Sequence, residues 1–266
     1  MSAVRRGVVS LLLAVTMFTV TPVPVTATVR ADRRTARLAI VWLPTIGIAL
    51  GAVAAAVLYA VHFLALGPIG DYLAATLAIS LLAAATRCLH LDGLADTADG
   101  LGSRAAPARA LEIMRRSDIG PFGVVTLLLL VIVQISALAQ CMHLGWQFGM
   151  LAVIAAVVAG RIAVVVACSR HVPSARPDGF GALVAGSLSR LVGWSWSLVV
   201  LGLAWTGGNL LDKGIVTVAA VLAGLVAAAI LRGLAVRRFG GVTGDVFGAL
   251  VETTTTVVLV VLALGG

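Results

Sequence analysis

The sequence has few charged residues and few aromatic residues. Asp, Glu, Lys and Arg together make up 11% of the 266 residues, and aromatic residues make up 5%. Soluble domains carry about a quarter charged residues, so this composition argues against a soluble globular protein. The net charge of +8 does not indicate a nucleic-acid-binding protein, because aromatic side chains for base stacking are scarce and Lys213 is the only lysine. We therefore expect no nucleic-acid partner.

Cysteines are also few. Cys88, Cys141 and Cys168 share neither a CxxC motif nor any other metal-ligand spacing. An odd number of cysteines without such a motif indicates ordinary buried thiols, and excludes a disulfide framework or a zinc site as the organising feature.

Long apolar runs are abundant instead. Hydrophobic residues make up 61% of the chain, and the mean hydropathy is +1.10. Runs of about 20 such residues are long enough to cross a lipid bilayer as helices, and they lack the alternation of barrel strands. We predict an all-α fold over residues 1–266, a single polytopic transmembrane helical bundle of about seven to eight membrane segments. The predicted segments are 8–28, 38–62, 72–89, 124–143, 149–168, 191–210, 214–234 and 250–264.

The arginines are distributed unevenly between the two sides of this topology. One side holds nearly all of them, in the connections 29–37, 90–123, 169–190 and 235–249 and the adjoining segment ends. The other side, with connections 63–71, 144–148 and 211–213, holds Lys213 alone. The positive-inside rule places the arginine-rich side in the cytoplasm, which predicts a multi-pass protein of the cell membrane.

The first segment allows two interpretations. Arg5 and Arg6, the apolar run that follows and the small residues near Ala27 resemble a cleavable signal peptide. Pro22 and Pro24, however, lie where a helix has to break, as in a bent or re-entrant segment. We favour a retained bent or re-entrant element for residues 1–28, with a signal peptide as the alternative.

The acidic residues cluster on the arginine-rich side, most densely after the third segment. Asp92, Asp96 and Asp99 are spaced i, i+4, i+7, which places them on one face of a helix. Adjacent carboxylates repel one another unless cations neutralise them, and all-oxygen ligation suits Mg²⁺ bound together with phosphate groups. His90 precedes this stripe, either as a proton-handling or substrate-contacting group or as a polar helix end.

Two further stretches on the same side contain candidate binding residues. Arg109, Arg115 and Arg116 follow Pro107 in a predicted short helix that ends at Gly120-Pro121, and guanidinium groups match phosphate oxygens well. Alternatively, these arginines only determine the orientation of the protein in the membrane and contact lipid headgroups. The glycine-rich stretch around Asp245 permits close backbone approach to an anion, and Asp245 and Glu252 again share a helical face. Arg161 lies inside a segment and should face a polar cavity or pair with an acid.

At these motifs the chain resembles the cobalamin synthase family, the adenosylcobinamide-GDP ribazoletransferases. The similar stretches are Thr19-Val-Thr-Pro22-Val-Pro24, Trp42-Leu-Pro44-Thr-Ile-Gly47-Ile-Ala-Leu-Gly51, His90-Leu-Asp92-Gly-Leu-Ala-Asp96-Thr-Ala-Asp99-Gly, Leu111-Glu112-Ile-Met114, Ile119-Gly120-Pro-Phe-Gly123 and Gly241-Val-Thr243-Gly244-Asp245. One stretch departs from the family, because Arg116-Ser117-Asp118 stands where many members have Asp-Ser-Arg.

The resemblance implies a transferase that needs Mg²⁺. A hydroxyl of α-ribazole or of its 5′-phosphate would attack adenosylcobinamide-GDP and release GMP, giving adenosylcobalamin or its 5′-phosphate. The candidate catalytic residues are Asp92, Asp96, Asp99 and His90. The candidate substrate-binding residues are Arg109, Arg115, Arg116, Asp118, Gly241, Thr243 and Gly244. The candidate metal ligands are Asp92, Asp96, Asp99 and Asp245.

Two other functions compete with this one. A phosphotransferase acting on CDP-linked alcohols also has Asp-Gly-x-x-Ala, but has Arg where this chain has Asp96. A cation-coupled secondary transporter would place its acids at mid-membrane within repeated halves, whereas here they cluster at one side and no repeat is evident.

Overall fold

The computed structural model describes residues 3–21, 32–64 and 67–266 of the chain, and over these residues all regular structure is helical. The helices are α1 Ala3–Phe18, α2 Arg33–Val41, α3 Leu43–Leu64, α4 Pro68–Ala85, α5 Leu89–Gly102, α6 Pro107–Ile113, α7 Pro121–Leu144, α8 Trp146–Ala167, α9 Gly179–Val184, α10 Arg190–Asn209, α11 Gly214–Phe239 and α12 Gly244–Gly265.

Seven of these helices are long and apolar enough to cross a membrane: α3, α4, α7, α8, α10, α11 and α12. The prediction of an all-α membrane bundle is confirmed. Of the seven to eight membrane segments expected, the described residues contain seven. The apolar run at the start of the chain forms α1, whose 16 residues are not among the seven.

Helix α8 is the most buried of the seven and forms the centre of the bundle, in contact with α3, α7, α10, α11 and α12. Small residues allow its neighbours to approach closely. A Cβ at Gly51 of α3 would lie 2.9 Å from the backbone of Ile154, and one at Gly160 would lie 2.9 Å from the carbonyl oxygen of Val251 in α12. Close backbone approach of this kind stabilises helix pairs in membranes through packing.

The shorter helices α1, α2, α5, α6 and α9 gather at one end of the bundle, where α4 and α8 end and α7 and α12 begin. The ring of Phe18 in α1 contacts that of Phe180 in α9 edge to face at 5.7 Å, and the amide of Val20 donates to Ala85 O. This end carries the arginine-rich connections identified in the sequence.

Several predicted boundaries differ from those of the structure. The predicted second segment is two helices that break at Trp42, and the third ends at Ala85 because Arg87 and Cys88 adopt left-handed conformations (φ 53° and 55°). The helix that begins at Pro107 ends at Ile113 rather than at Gly120, and Pro121 is instead the first residue of α7. Pro22 and Pro24 lie outside the described residues, so the bent or re-entrant element over 1–28 stays a prediction.

Candidate active site

A cavity of about 320 Å³ opens among the shorter helices and the start of α12. Helices α1, α5, α8 and α12 contribute to its wall, together with the connection between α8 and α9. Its charged and ionisable lining residues are His90, Asp92, Arg161, Arg176, Asp178 and Asp245. Residues far apart in the sequence thus meet in one place.

Two glycines bring the acidic stripe of α5 against α12. A Cβ at Gly93 would lie 2.6 Å from the carbonyl oxygen of Asp245, and a Cβ at Gly248 would lie 2.8 Å from that of His90. Because neither glycine has a side chain, the two helices touch through their backbones, and Asp92 and Asp245 line the same cavity.

Asp96 lies one helical turn after Asp92 and is half-buried. Its burial, and then the negative charges of Asp245 and Asp92, raise the pKa of the Asp96 carboxyl to about 7. Burial is the largest cause, and the repulsion by the neighbouring carboxylates is only partly offset by Arg176. Bound cations would supply the missing compensation.

The carboxylates at the cavity could supply some, but not all, of the ligands of a divalent cation such as Mg²⁺. Among the residues that the structure describes, no three acidic, histidine or cysteine side chains converge closely enough to hold a metal ion by themselves. Mg²⁺ commonly takes one or two carboxylates and completes its shell with water and substrate phosphates. Asp92 and Asp245, with Asp96 behind them, fit that mode of binding.

Asp99 is held by backbone amides, and its role as a metal ligand or catalytic group stays a prediction. Its two carboxylate oxygens accept the backbone amides of Gly120 (2.7 Å) and Gly123 (2.9 Å), at the first turn of α7. A carboxylate at a helix N-terminus satisfies otherwise unpaired amides and is favoured by the helix dipole. Asp99 therefore joins α5 to α7, and it is not one of the residues that line the cavity.

Arg176 and Asp178 are charged cavity residues that the sequence did not indicate, and Arg176 lies nearer to the acidic cluster. Its Nη1 lies 3.1 Å from Asp245 Oδ2, and its Nη2 donates to Leu111 O at 3.0 Å. Its Nε is buried and has no hydrogen-bond partner among the described residues. The sequence offered one signal, a polar Ser-Ala-Arg-Pro-Asp-Gly run between two membrane segments, but nothing that ranked Arg176 above the other arginines.

Backbone pairing holds Arg176 in this position. The amide of Ala175 donates to Val242 O (3.0 Å), and the amide of Val242 donates to Pro173 O (2.9 Å). A Cβ at Gly241 would lie 2.5 Å from Ala175 N, so Gly241 is needed for this close pairing. In the structure Gly241 thus packs against protein backbone and is not one of the cavity-lining residues, and its role in substrate binding stays a prediction.

Thr243 and Gly244 do line the cavity, at the start of α12. Thr243 caps the helix, because its Oγ1 accepts the amide of Val246 at 3.2 Å, and the same hydroxyl donates to Asp245 Oδ2 at 3.2 Å. This pair of bonds fixes the orientation of the Asp245 carboxylate next to Arg176.

The arginines of the α6 region lie outside the cavity wall. Arg109 pairs with Glu112 at 2.7 Å on the exposed surface, and Arg115 pairs with Asp178 at 2.7 Å. Arg116 and Asp118 are exposed. Of these residues, Arg115 comes nearest to the cavity, through Asp178 at its rim.

His90 and Arg161 form the deep end of the cavity. Their side chains are 6% and 5% exposed, and His90 Nδ1 has no hydrogen-bond partner among the described residues. Burial, and secondarily the positive charge of Arg161, lower the pKa of His90 well below its usual value, so the imidazole is neutral near pH 7. Of the two environments predicted for Arg161, a polar cavity or an acidic partner, the structure places it at a cavity that also contains Asp92, Arg176 and Asp245.

Comparison with known proteins identifies relatives along nearly the whole chain. The family model for cobalamin-5-phosphate synthase matches residues 10–263. Proteins named adenosylcobinamide-GDP ribazoletransferase are similar to the chain in Frankia casuarinae (39% identity, 96% of this chain and 95% of the relative) and Nocardioides sp. (41%, 88% and 90%). The protein of that name from Bradyrhizobium diazoefficiens is 40% identical over 98% of this chain and 95% of its own length. No solved structure matches the chain. By the extent of these matches, the chain belongs to the cobalamin-5-phosphate synthase family.

Proposed function

We propose that the protein is a transferase that joins adenosylcobinamide-GDP to α-ribazole, or to α-ribazole 5′-phosphate, and releases GMP. The names of its relatives support this reaction. The observation that carries it is the shared cavity of Asp92 and Asp245, which come from motifs about 150 residues apart and meet through the Gly93–Gly248 contact. The product is adenosylcobalamin or its 5′-phosphate.

The reaction exchanges one bond to phosphorus for another. A ribazole hydroxyl oxygen forms a bond to the phosphorus that carries cobinamide, the diphosphate bond to GMP breaks, and the hydroxyl proton is released. Phosphoryl transfer of this kind requires mainly that the reactants are positioned and that the charge on the phosphate oxygens is neutralised. The cavity contains acidic groups for a cation and basic groups for phosphate oxygens.

Mg²⁺ is the proposed cofactor, and Asp92 and Asp245 would hold it, with Asp96 adding negative charge behind them. When bound with the diphosphate, it supplies positive charge that stabilises the departing GMP. In the protein itself, Thr243 and Arg176 fix the Asp245 carboxylate, and the Arg176 guanidinium lies within reach of a phosphate group at the same place. Met17, Phe18 and Phe180 form an apolar wall that limits water in the cavity.

The active site is proposed to face the cytoplasm in the cell membrane. The support is the arginine content of the connections at the cavity end of the bundle, against Lys213 alone at the opposite end. Nucleotide-linked substrates are polar, so a site at the membrane surface also suits their access.

The test is an assay of the purified protein in detergent or lipid. With Mg²⁺ present, adenosylcobinamide-GDP and a ribazole acceptor should yield equal amounts of GMP and cobamide, and removal of Mg²⁺ with a chelator should stop both. Release of CMP from a CDP-linked alcohol would favour the other phosphotransferase class. Cation-driven substrate flux into liposomes without any chemical product would favour a transporter.

A further inference from the structure

Arg161 is a buried positive charge at the deep end of the cavity. It lies in α8 six residues before the helix ends at Ala167, about 9 Å below that end at 1.5 Å per residue. Its side chain lines the main cavity and also a smaller cavity of about 30 Å³ behind it. Gly47 of α3 gives it room, since a Cβ there would already touch Arg161 Cγ at 3.4 Å.

The guanidinium has few partners in the protein. Among the described residues, its one hydrogen bond runs from Nη1 to Val157 O at 3.4 Å, within its own helix. No described carboxylate lies within ion-pair distance of it. Glu252 attracts it electrostatically from the smaller cavity, but Glu252 Oε2 accepts Gln134 Nε2 at 2.9 Å. Since a guanidinium has five N–H donors, most of them remain available in a buried place, where an unpaired charge is costly.

Arg161 lies well below the acidic cluster. Asp245 is the second residue of α12, and Val251, six residues further along, also lines the cavity and contacts Gly160 next to Arg161. Six residues of helix span about 9 Å. The acidic groups therefore occupy the upper part of the cavity, while the deep part is positive.

His90 gives a second and independent indication of a ligand at this depth. His90 is 6% exposed, its Nδ1 has no hydrogen-bond partner among the described residues, and the residue lines both cavities with Arg161. Buried polar atoms in proteins are usually hydrogen-bonded, so an unpaired one at a cavity wall points to a bound group that completes it.

We propose that Arg161, with His90 beside it, forms a deep subsite for a phosphate group of a substrate. The proposal rests on the transferase function above. A phosphate group at this depth comes from one of two sources, the 5′-phosphate of the ribazole acceptor or the diphosphate of the cobinamide donor. A guanidinium matches either one with paired N–H donors.

The test compares R161Q, R161K and wild type in steady-state kinetics with three substrates: α-ribazole, α-ribazole 5′-phosphate and adenosylcobinamide-GDP. Loss of a charge-assisted contact should raise the KM of the substrate that carries the phosphate by about 10- to 100-fold, with a smaller rise for R161K. A rise for α-ribazole 5′-phosphate but not for α-ribazole assigns the subsite to the acceptor. A rise for the donor alone assigns it to the diphosphate. Unchanged KM for all three substrates overturns the proposal.

A matched control is R237Q, because Arg237 is exposed near the end of α11 and hydrogen-bonds only within that helix among the described residues. It should leave every KM within about 2-fold of wild type, as is usual for exposed positions.

A binding measurement covers the case in which R161Q does not fold. Inorganic phosphate, against chloride at equal ionic strength, should raise the unfolding temperature of wild type more than that of R161K. An equal rise in both proteins overturns the subsite. Wild-type protein that releases no GMP with either acceptor overturns the proposed function instead, and the phosphate comparison then tests the subsite alone.

Discussion

Replacement of Asp96 by Asn tests the electrostatics of the acidic cluster without a change of side-chain size. The Asp96 carboxyl has a pKa of about 7 in the folded protein, against 3.8 in an unfolded chain. Between these two pH values the folded protein therefore holds a proton that the unfolded chain releases. The contribution of this group to stability is fully present below about pH 4 and is lost as the pH rises through 7.

The magnitude follows from the shift in pKa. About three units correspond to roughly 4 kcal/mol, and because Asp96 is only half-buried, solvent screening reduces this to about 1–2 kcal/mol. Asn carries no charge, so D96N should be more stable than wild type at pH 8 by this amount and nearly equal to it at about pH 3.5, below the unfolded-state pKa. For a chain of this size that is a rise of about 2–6 °C in the unfolding temperature.

The assay is thermal unfolding of purified protein in detergent, in the presence of a chelator, at about pH 3.5 and at pH 8. D212N is a matched control, because Asp212 is exposed at the opposite end of the bundle and its φ of 57° is one that Asn tolerates. Mg²⁺ added at pH 8 should then raise the unfolding temperature of wild type more than that of D96N. If D96N is no more stable than wild type at pH 8, or is equally stabilised at about pH 3.5, the account of the cluster is wrong.

Three other predictions concern the contacts around the cavity. D99A should destabilise the protein by about 2–4 kcal/mol in denaturant or thermal unfolding, because two amides at the start of α7 lose their acceptor. G93A should lower the free energy of unfolding by about 1–3 kcal/mol and abolish most of the GMP release, because the new methyl group forces α5 away from α12. The control G202A, at an open position of α10, should change neither the stability nor the GMP release appreciably. R176Q should lower the kcat of GMP release by about 10- to 100-fold, while the protein remains monodisperse in size-exclusion chromatography. A kcat equal to that of wild type would show that Arg176 does not take part in the reaction.

The sequence was sufficient to predict the bundle and the two acidic motifs. Long apolar runs determine membrane helices because an unpaired backbone cannot lie in lipid, so α7, α8, α10, α11 and α12 were placed close to their observed ranges. The spacing of Asp92 and Asp96 on one helical face needs only local helix geometry. Both features depend on short-range rules, which a single sequence contains.

The partners of individual side chains depend on tertiary contacts that no local rule describes. Asp99 belongs to the same stripe as Asp92, but its oxygens bind the amides of Gly120 and Gly123, residues that the sequence presented only as a helix end. Arg176 enters the cavity because its loop pairs with Val242, a contact between residues far apart in the chain.

The arginines of the α6 region show the same dependence on tertiary contacts. Their number and position suggested a phosphate clamp, whereas Arg109 and Arg115 pair with Glu112 and Asp178 at the surface. Charge alone does not distinguish a topology signal from a binding group. The folded structure adds the ion-pair partners of these arginines, and their role in substrate binding stays a prediction.

The central claim is that Asp92 and Asp245 act together on one bound cation. Its most direct test is the rate of GMP release by D92N, D245N and the double variant, at saturating Mg²⁺ and with folding verified. Each single variant should lose about 10²- to 10³-fold, and the double variant should be hardly worse than the weaker single one, because the first substitution already removes the shared function. Losses that multiply in the double variant, or single variants that retain wild-type rates, would contradict the claim.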